Sequence, residues 1–362
     1  MKLNFSILIS IILITSCVEK QHSNKEDINT VPIEARKCII TTHYTPIQHE
    51  GKWICGEEYS RSENLSDTIY YDENNNKLLR ILKGRYAINK YIYHSPKEKL
   101  LEKIYSLQRE NIDSALYIRN AENKLIELVV SGDIFAEYLE SKSYHYNNKG
   151  ERSEIMQGDT KTTIEQSPSK DGLTIKTFRK FKKKADSSNE LIEKGTEIFN
   201  PEGQLLRIIN EYYKYGRVDK EEDFSFTYDE KNRRIKEEMK GQTAAMHFQV
   251  PNNLSPEEQE EYIRENYYEN IEYTPIAYIK EWKYNSHGDL ESYIYKTLDN
   301  DSGRIKINPN FSERYEFVYN KEGEWVEKYS YMIYKSNILS REKESEENNE
   351  PYLISIREII DL

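Results

Sequence analysis

The feature that most constrains this chain is one turn that it repeats along its length. In Phe199-Asn200-Pro201-Glu202-Gly203-Gln204-Leu205, Asn200 suits the first position of a type I turn, where its side chain accepts a backbone N–H. Pro201 presets φ at the next position, and Gly203 supplies the left-handed residue that closes a hairpin with a bulge. The same grammar returns at Tyr71-Asp72 with Asn75, Tyr146-Asn147 with Gly150, Tyr228-Asp229 with Asn232, Tyr284-Asn285 with Gly288 and Tyr319-Asn320 with Gly323. Weaker copies stand at Tyr93-His94-Ser95-Pro96, Asn120 to Asn123 and Ser169 to Gly172. From 71 through 93 and 119 to 146 the steps are 22, 26 and 27 residues, and from 199 to 228 the step is 29. A period in the twenties gives one two-stranded unit per repeat.

The residue two before each turn is also apolar. Ile69/Tyr71, Tyr91/Tyr93, Tyr144/Tyr146, Phe226/Tyr228, Trp282/Tyr284 and Phe317/Tyr319 each place two side chains on one face of a strand. The chain holds 30 Tyr, while its apolar share is 37% and its charged share 32%. That balance suits thin, half-exposed sheets glued by cross-strand aromatic pairs better than a thick aliphatic core. The expected fold is all-β: an extended, twisted antiparallel sheet of consecutive β-hairpin repeats. One short inserted helix is expected near 256–268. There Ser255-Pro256-Glu257-Glu258 supplies an N-cap, a proline at the first helical position and a capping-box glutamate. Tyr262, Ile263 and Tyr267 would form its docking stripe over a sheet edge. Lys180 to Asn189 reads as a long hairpin tip, Arg341 to Glu350 as a charged loop, and Pro351 to Ile360 as the strand that closes the sheet.

The Tyr-Asp-x-x-Gly-x-Leu units, best matched by Tyr284 to Leu290, Phe199 to Leu205 and Tyr319 to Trp325, resemble the YD repeats of Rhs-type proteins. The resemblance covers about residues 65 to 335. It implies hairpins that spiral into a β-sheet shell, and a link to carbohydrate binding and cell-surface contact.

The N-terminus carries an address. Lys2 precedes an apolar run from Phe5 to Ile14, too short to span a bilayer, and then Ile14-Thr15-Ser16-Cys17. This order resembles the lipobox of bacterial lipoproteins. It implies a signal peptide over 1–16, lipid attachment at Cys17, and anchorage in a bilayer, with Val18 favouring the outer membrane. Polar residues 17–34 read as a flexible tether, and 35–362 as the repeat domain, with clear repeat turns from 71 to 325. The formal charge of −11 becomes −12 once Lys2 leaves with the leader, which argues against a nucleic-acid partner.

Cys38 and Cys55 remain. An exported protein with an even count makes them a disulfide candidate, adding about 3 kcal/mol. Free thiols, and a metal site with His43 and His49, are the alternatives, although this spacing fits no common zinc motif. Asp299 to Gly303 reads as a solvated turn, because Arg304 and Asn310 stand where a calcium loop needs other residues. No catalytic motif, cofactor signature or metal site is expected from the sequence. Tyr228, Trp282, Tyr284, Phe317, Tyr319 and Trp325 are the aromatics that would face a ligand if the sheet serves as a stacking platform. The function expected is a non-enzymatic binding or scaffold module of the envelope, contacting glycan or another protein. The alternatives are a glycan-processing enzyme and an immunity-type partner of a toxin.

Overall fold

The computed structural model describes residues 32–362 apart from 60–65, 83–86, 96–97, 107–111, 133–139, 170, 185–186, 247–249, 252, 267–270, 300–301, 309–310 and 334–348. The expected open sheet is corrected: the strands close into a barrel of twenty, all antiparallel. Strand β1 (Lys37–His49) pairs on one edge with β22 (Leu353–Asp361), as Cys38 to Ile360 and His43 to Ser355. Its other edge pairs with β3 (Asp67–Tyr71), and the end of β1 forms a hairpin with β2 (Lys52–Glu58). From β3 the ring runs through β4 (Lys77–Leu82), β5 (Ala87–Ser95), β6 (Glu98–Ser106), β7 (Ile112–Arg119), β8 (Leu125–Ser131), β9 (Lys142–Tyr146) and β10 (Arg152–Gln157). It continues through β11 (Thr160–Pro168), β12 (Thr174–Lys183), β13 (Asn189–Phe199), β14 (Leu205–Lys214), β15 (Arg217–Tyr228), β16 (Arg234–Met246), β17 (Ile271–Tyr284) and β18 (Leu290–Asp299). β20 (Glu313–Tyr319) and β21 (Trp325–Met332) then lead to β22, while β2 and β19 (Arg304–Ile307) are side hairpins outside the ring. Closure removes the unpaired edges that an open repeat sheet would expose.

The turns follow the sequence expectation. Among the described residues, eight turns on one rim share a pattern in which the fourth residue donates to the first, and the first donates to the fifth. Six of them add two further bonds. The oxygen of Asp72, Asn120, Asn147, Asp229, Asn285 or Asn320 accepts the amides two and four residues on, at 2.8–3.1 Å. Gly203 (φ 83), Gly288 (φ 97) and Asn232 (φ 62) occupy the left-handed position. A bulge accompanies seven of the eight turns, all but the one at Ser169, and swings the first residue of the returning strand onto the aromatic face. Thus Arg152 lies over Tyr144, Arg234 over Phe226, and Trp325 against Phe317. Trp325 and Tyr329, which simple alternation would put together, are separated to opposite faces.

Directly opposed residues share a face, so register carries one face round the whole ring. One face holds Glu193, Tyr212, Lys220, Phe226, Glu237, Lys280, Tyr293, Tyr315, Lys328, Ser355, Arg357 and His43. Groups with strong desolvation lie here: burial pushes Lys328, Arg357 and His43 down and Glu193 and Tyr315 up. The exposed apolar residues Ile92, Val129, Tyr273 and Val318 lie on the other face. The first face is therefore the concave inner wall. Twenty strands spaced about 4.8 Å apart give a girth of about 96 Å, too wide to fill with side chains. Accordingly, the described residues hold only small apolar clusters, Leu79 with Tyr70 and Ile81, and Ala115 and Leu128 with Tyr117, Val130 and Tyr144.

Two local expectations change. The long tip at Lys180 to Asn189 is short, because β12 stays paired through Lys183 and only Lys184 to Ser188 turn. Helix α1 (Pro256–Asn266) has its Ser255–Glu258 capping box, but none of its residues is buried. It covers no sheet edge, since the ring leaves none there. It sits at the rim opposite the repeat turns, where Arg264 lies 5.7 Å from the Tyr215 ring. Tyr267 and Tyr268 lie outside the described residues.

Gly195 on β13 marks a place where the wall tolerates no side chain. An added Cβ would meet the Phe178 ring at 2.3 Å and Asn210 Oδ1 at 2.6 Å. Gly203, by contrast, has open space around it and only its φ to protect. Gly195→Ala is expected to destabilise by about 1–3 kcal/mol through overpacking, and Gly203→Ala by about 1 kcal/mol through backbone strain. Urea unfolding midpoints of the two variants check the order.

Candidate functional site

The densest polar arrangement lies on the inner wall of β13 to β18. Glu237 is buried and accepts hydrogen bonds from Tyr278 Oη at 2.7 Å, Lys280 Nζ at 3.0 Å and Arg234 Nη1 at 2.9 Å. Burial pushes its carboxyl up, but those donors and the two cations outweigh burial and hold it below the usual carboxylate range. Tyr278 is raised in turn, by burial first and then by Glu237. Two strands back, Tyr212 donates to Glu222 at 3.0 Å, and burial with that carboxylate pushes it up to about 12. Glu193, directly opposite Tyr212, is raised by burial and by the charge of Glu222. Phe224 and Phe226 stack at 6.4 Å beside this chain of groups, and Tyr278 tilts against Tyr295 at 5.7 Å. Further round, Tyr315 and Tyr352 both donate to Glu313, and Lys328 sits 4.0 Å from the Tyr315 ring. The wall is thus a lattice of rings and largely paired charges, with Glu193 a raised exception. It offers flat apolar surface and hydroxyl and carboxylate acceptors together.

The six aromatics singled out from sequence cluster toward the repeat-turn rim, all half-buried. Most are also structural. Tyr228 Oη donates to the Leu205 carbonyl at 2.9 Å, and Tyr284 Oη to the Arg234 carbonyl at 3.2 Å, each reaching back to the preceding hairpin. Tyr319 donates to Asp289 at 2.8 Å and stacks on His287 at 3.8 Å. Phe317 packs between Tyr319 and Trp325, and Arg357 covers Trp325 at 3.5 Å. Trp282 lies 5.7 Å from Tyr293 and, with Tyr284, lines a cleft of about 480 Å³ between the Asp229 and Asn285 turns.

Glu193, Tyr212, Glu222, Glu237 and Lys280 did not stand out in sequence. They sit among many carboxylates and lysines, and only strand register joins them. The alternation around Tyr278 and Lys280 was the available signal.

The disulfide is corrected. Both thiols are free, Cys38 buried and Cys55 exposed. Cys55 lies opposite Pro46 at the far end of β1, whereas Cys38 lies opposite Tyr70 and Ile360 at its start. The hairpin turns at Glu50 and Gly51, so the two cysteines end up eight strand positions apart in register. Burial raises both thiols. His43 spends its Nδ1 on Ser355 Oγ at 2.8 Å, away from Cys55. Asp299 holds Ser302 and Lys306 within its turn. Cys17 lies outside the described residues, and among those described no helix is long and apolar enough to cross a membrane.

No family model matches the chain, and no curated protein matches it. Among solved structures, it is similar to the Photorhabdus luminescens Tc holotoxin pore carrying the TccC3 D651A mutation. The identity is 13% over 87% of this chain and 18% of that one, with a TM-score of 0.27. A porin-like protein from Bacteroides uniformis is 10% identical over 91% of this chain and 100% of that one, with a TM-score of 0.23. The complex TcdB2-TccC3-Cdc42 is 10% identical over 77% of this chain and 19% of that one, with a TM-score of 0.18. The chain thus spans about a fifth of the toxin chains it matches. At these scores the likenesses carry no argument, and the barrel rests on its own strand pairing.

Two outcomes follow from this geometry. Alkylation of the native protein is expected to label Cys55 rapidly and Cys38 only after denaturation, read by peptide mass. Glu237→Gln is expected to cost about 1–2 kcal/mol at neutral pH. Because the folded carboxyl is held low, its contribution is present above the unfolded value and disappears as pH falls through the folded one. The gap between parent and variant in urea should therefore close below about pH 4.

Proposed function

We propose that this chain is a non-enzymatic binding barrel of the cell envelope, held at the outer membrane by lipid on Cys17, with glycan as its ligand. The observation that carries this reading is the inner wall. Its rings alternate with hydroxyl, carboxylate and ammonium groups from β13 to β22, which is the chemistry that stacks on sugar faces and exchanges hydrogen bonds with sugar hydroxyls. Binding rather than catalysis is favoured because most of the carboxylates there, Glu193 excepted, are engaged: Glu237 by three donors, Glu222 by Tyr212 and Lys220, and Glu313 by Tyr315 and Tyr352.

A closed barrel is compatible with an outer-membrane location. The outer face favours a barrel carried beside the bilayer rather than through it. It carries Lys194–Glu211 (3.1 Å) at mid-strand, and Arg207–Asp223 (2.5 Å), Lys236–Glu238 (3.1 Å) and Glu281–Lys296 (2.7 Å) nearer the repeat-turn rim. A lysine or arginine facing lipid at mid-depth costs about 2–4 kcal/mol, and a spanning barrel needs an apolar belt in its place. The lipid anchor then supplies the attachment that the wall does not.

A glycan array probed with the purified chain tests the ligand, beside an assay for released reducing ends on the glycans that bind. Binding without release is the expected result. Release of reducing ends would replace this reading with the enzymatic one, and capture of a single envelope protein with an empty array would replace glycan with a protein ligand. For attachment, Cys17→Ser is expected to move the protein from the membrane fraction to the soluble one. Retention of that variant in the membrane after a carbonate wash would overturn lipid anchorage.

A further inference from the structure

Two cations stand side by side on the inner wall. Lys328 on β21 lies directly opposite Ser355 on β22, and Arg357 follows two residues along β22 on the same face. Such diagonal neighbours are about 7–8 Å apart, within reach of long side chains. Each cation rests on a ring of that face. The Lys328 ammonium lies 4.0 Å from the centre of the Tyr315 ring, and the Arg357 guanidinium 3.5 Å from that of Trp325. Phe317, directly opposite Lys328, lies 6.5 Å from Tyr315 and 6.1 Å from Trp325. Among the described residues, neither cation makes a hydrogen bond or an ion pair. Arg357 Nε is shut off from solvent, but its two terminal nitrogens and Lys328 Nζ are not, so these donors are open to the lumen.

The carboxylates around the pair are bonded to other groups. Glu313 and Asp289 act on Lys328 through charge, and Asp289, Glu324 and Asp67 act on Arg357. Glu313 accepts from Tyr315 and Tyr352, and Asp289 from Tyr319 at 2.8 Å. Asp67 accepts from Arg80 Nε at 2.8 Å, and Glu324 pairs with Lys37. These four temper the field of the two cations from a distance and leave their donors unmet. Burial pushes Lys328 down, Glu313 and Asp289 pull against it, and Arg357 adds to the fall. Two like charges, both partly stripped of water, are thus held together by the rings beneath them and not by counter-ions. An anion seated between them offsets both the repulsion and the lost hydration.

We infer that Lys328 and Arg357 form a subsite for the anionic group of an acidic glycan. A uronate carboxylate or a sulfate ester would sit between ammonium and guanidinium, with its sugar ring beside Phe317. The inference rests on the glycan reading above and adds the charge of the sugar and the place on the wall where it is read. The same arrangement explains why two costly cations persist without partners: they serve a ligand and not the fold.

The test uses the full chain in detergent and three probes of equal length, an oligogalacturonate, a sulfated galactan oligomer and a neutral galactan oligomer, by isothermal titration. The parent is expected to bind one of the acidic probes about tenfold more tightly than the neutral one, and the tighter of the two tells carboxylate from sulfate. Lys328→Met and Arg357→Gln should each lower that preference at least threefold and leave the neutral probe nearly unchanged. Both remove a cation that has no counter-ion, so their urea midpoints should match or exceed the parent's, the reverse of what breaking a structural ion pair does. Lys236→Gln, on the outer wall, should keep the preference; an equal loss there would assign it to overall charge and overturn the subsite. Acetylation of the parent, read by peptide mass, needs no variant to fold. The preferred acidic probe should slow labelling of Lys328 at least threefold more than the neutral probe does, and unchanged labelling overturns the subsite. Equal affinity of the parent for all three probes, or folded variants that keep its preference, also overturns it. If array glycans bind the parent in spite of such a result, only the subsite falls. If no glycan binds the parent, the glycan reading falls with it.

Discussion

Everything in this barrel depends on one side-chain oxygen used twice. In six of the repeat turns an aspartate or asparagine accepts two amides of its own turn, and the left-handed residue between those amides lets the chain come back on itself. The cost of reversing the chain is thereby met locally, before any long-range contact forms. The bulge that accompanies the turn then delivers Arg234, Arg152 or Trp325 onto the aromatic face of the preceding strand. Each hairpin thus arrives with a small packed unit of its own. A tyrosine at the next turn, Tyr228 or Tyr284, reaches back to the previous hairpin's carbonyl and sets the spacing between units.

A wall made this way does not need a thick core. Ladder hydrogen bonds, cross-strand rings and paired charges hold it, and the apolar clusters are small and separate. Both faces therefore stay chemically legible. The outer one carries ion pairs that suit water, and the inner one carries tyrosines and carboxylates bonded to each other. A concave wall raises the electrostatic stakes. Lys328 and Arg357, both pushed down by burial, lie against the rings of Tyr315 and Trp325. Ring faces offset part of the desolvation of such cations.

The repeat turns, the strands between them and the capped helix were legible because each is a local matter. Asn200, Gly203 and Ser255 act within four residues of themselves. The lysine run after Phe178 misled because composition suggests a tip, whereas alternation of Lys180 and Lys182 with Phe181 keeps the strand paired. The cysteines misled for a related reason. Their proximity in sequence suggested a bridge, but a long straight hairpin separates what lies at its two ends. The chemistry of the inner wall was only half legible: aromatics repeat at fixed offsets from each turn, while Glu237, Tyr278 and Lys280 are brought together by register alone.

By itself the sequence determined that the polypeptide would run back and forth in antiparallel strands, and where each reversal falls, because turn geometry is decided by the few residues inside it. Tertiary structure alone decided that the two ends of the chain would meet, with β1 seated between β22 and β3, and so which face became an enclosed wall. Closure depends on twist accumulated over twenty strands and on pairing between segments at opposite ends of the chain, and no short stretch of residues carries that information.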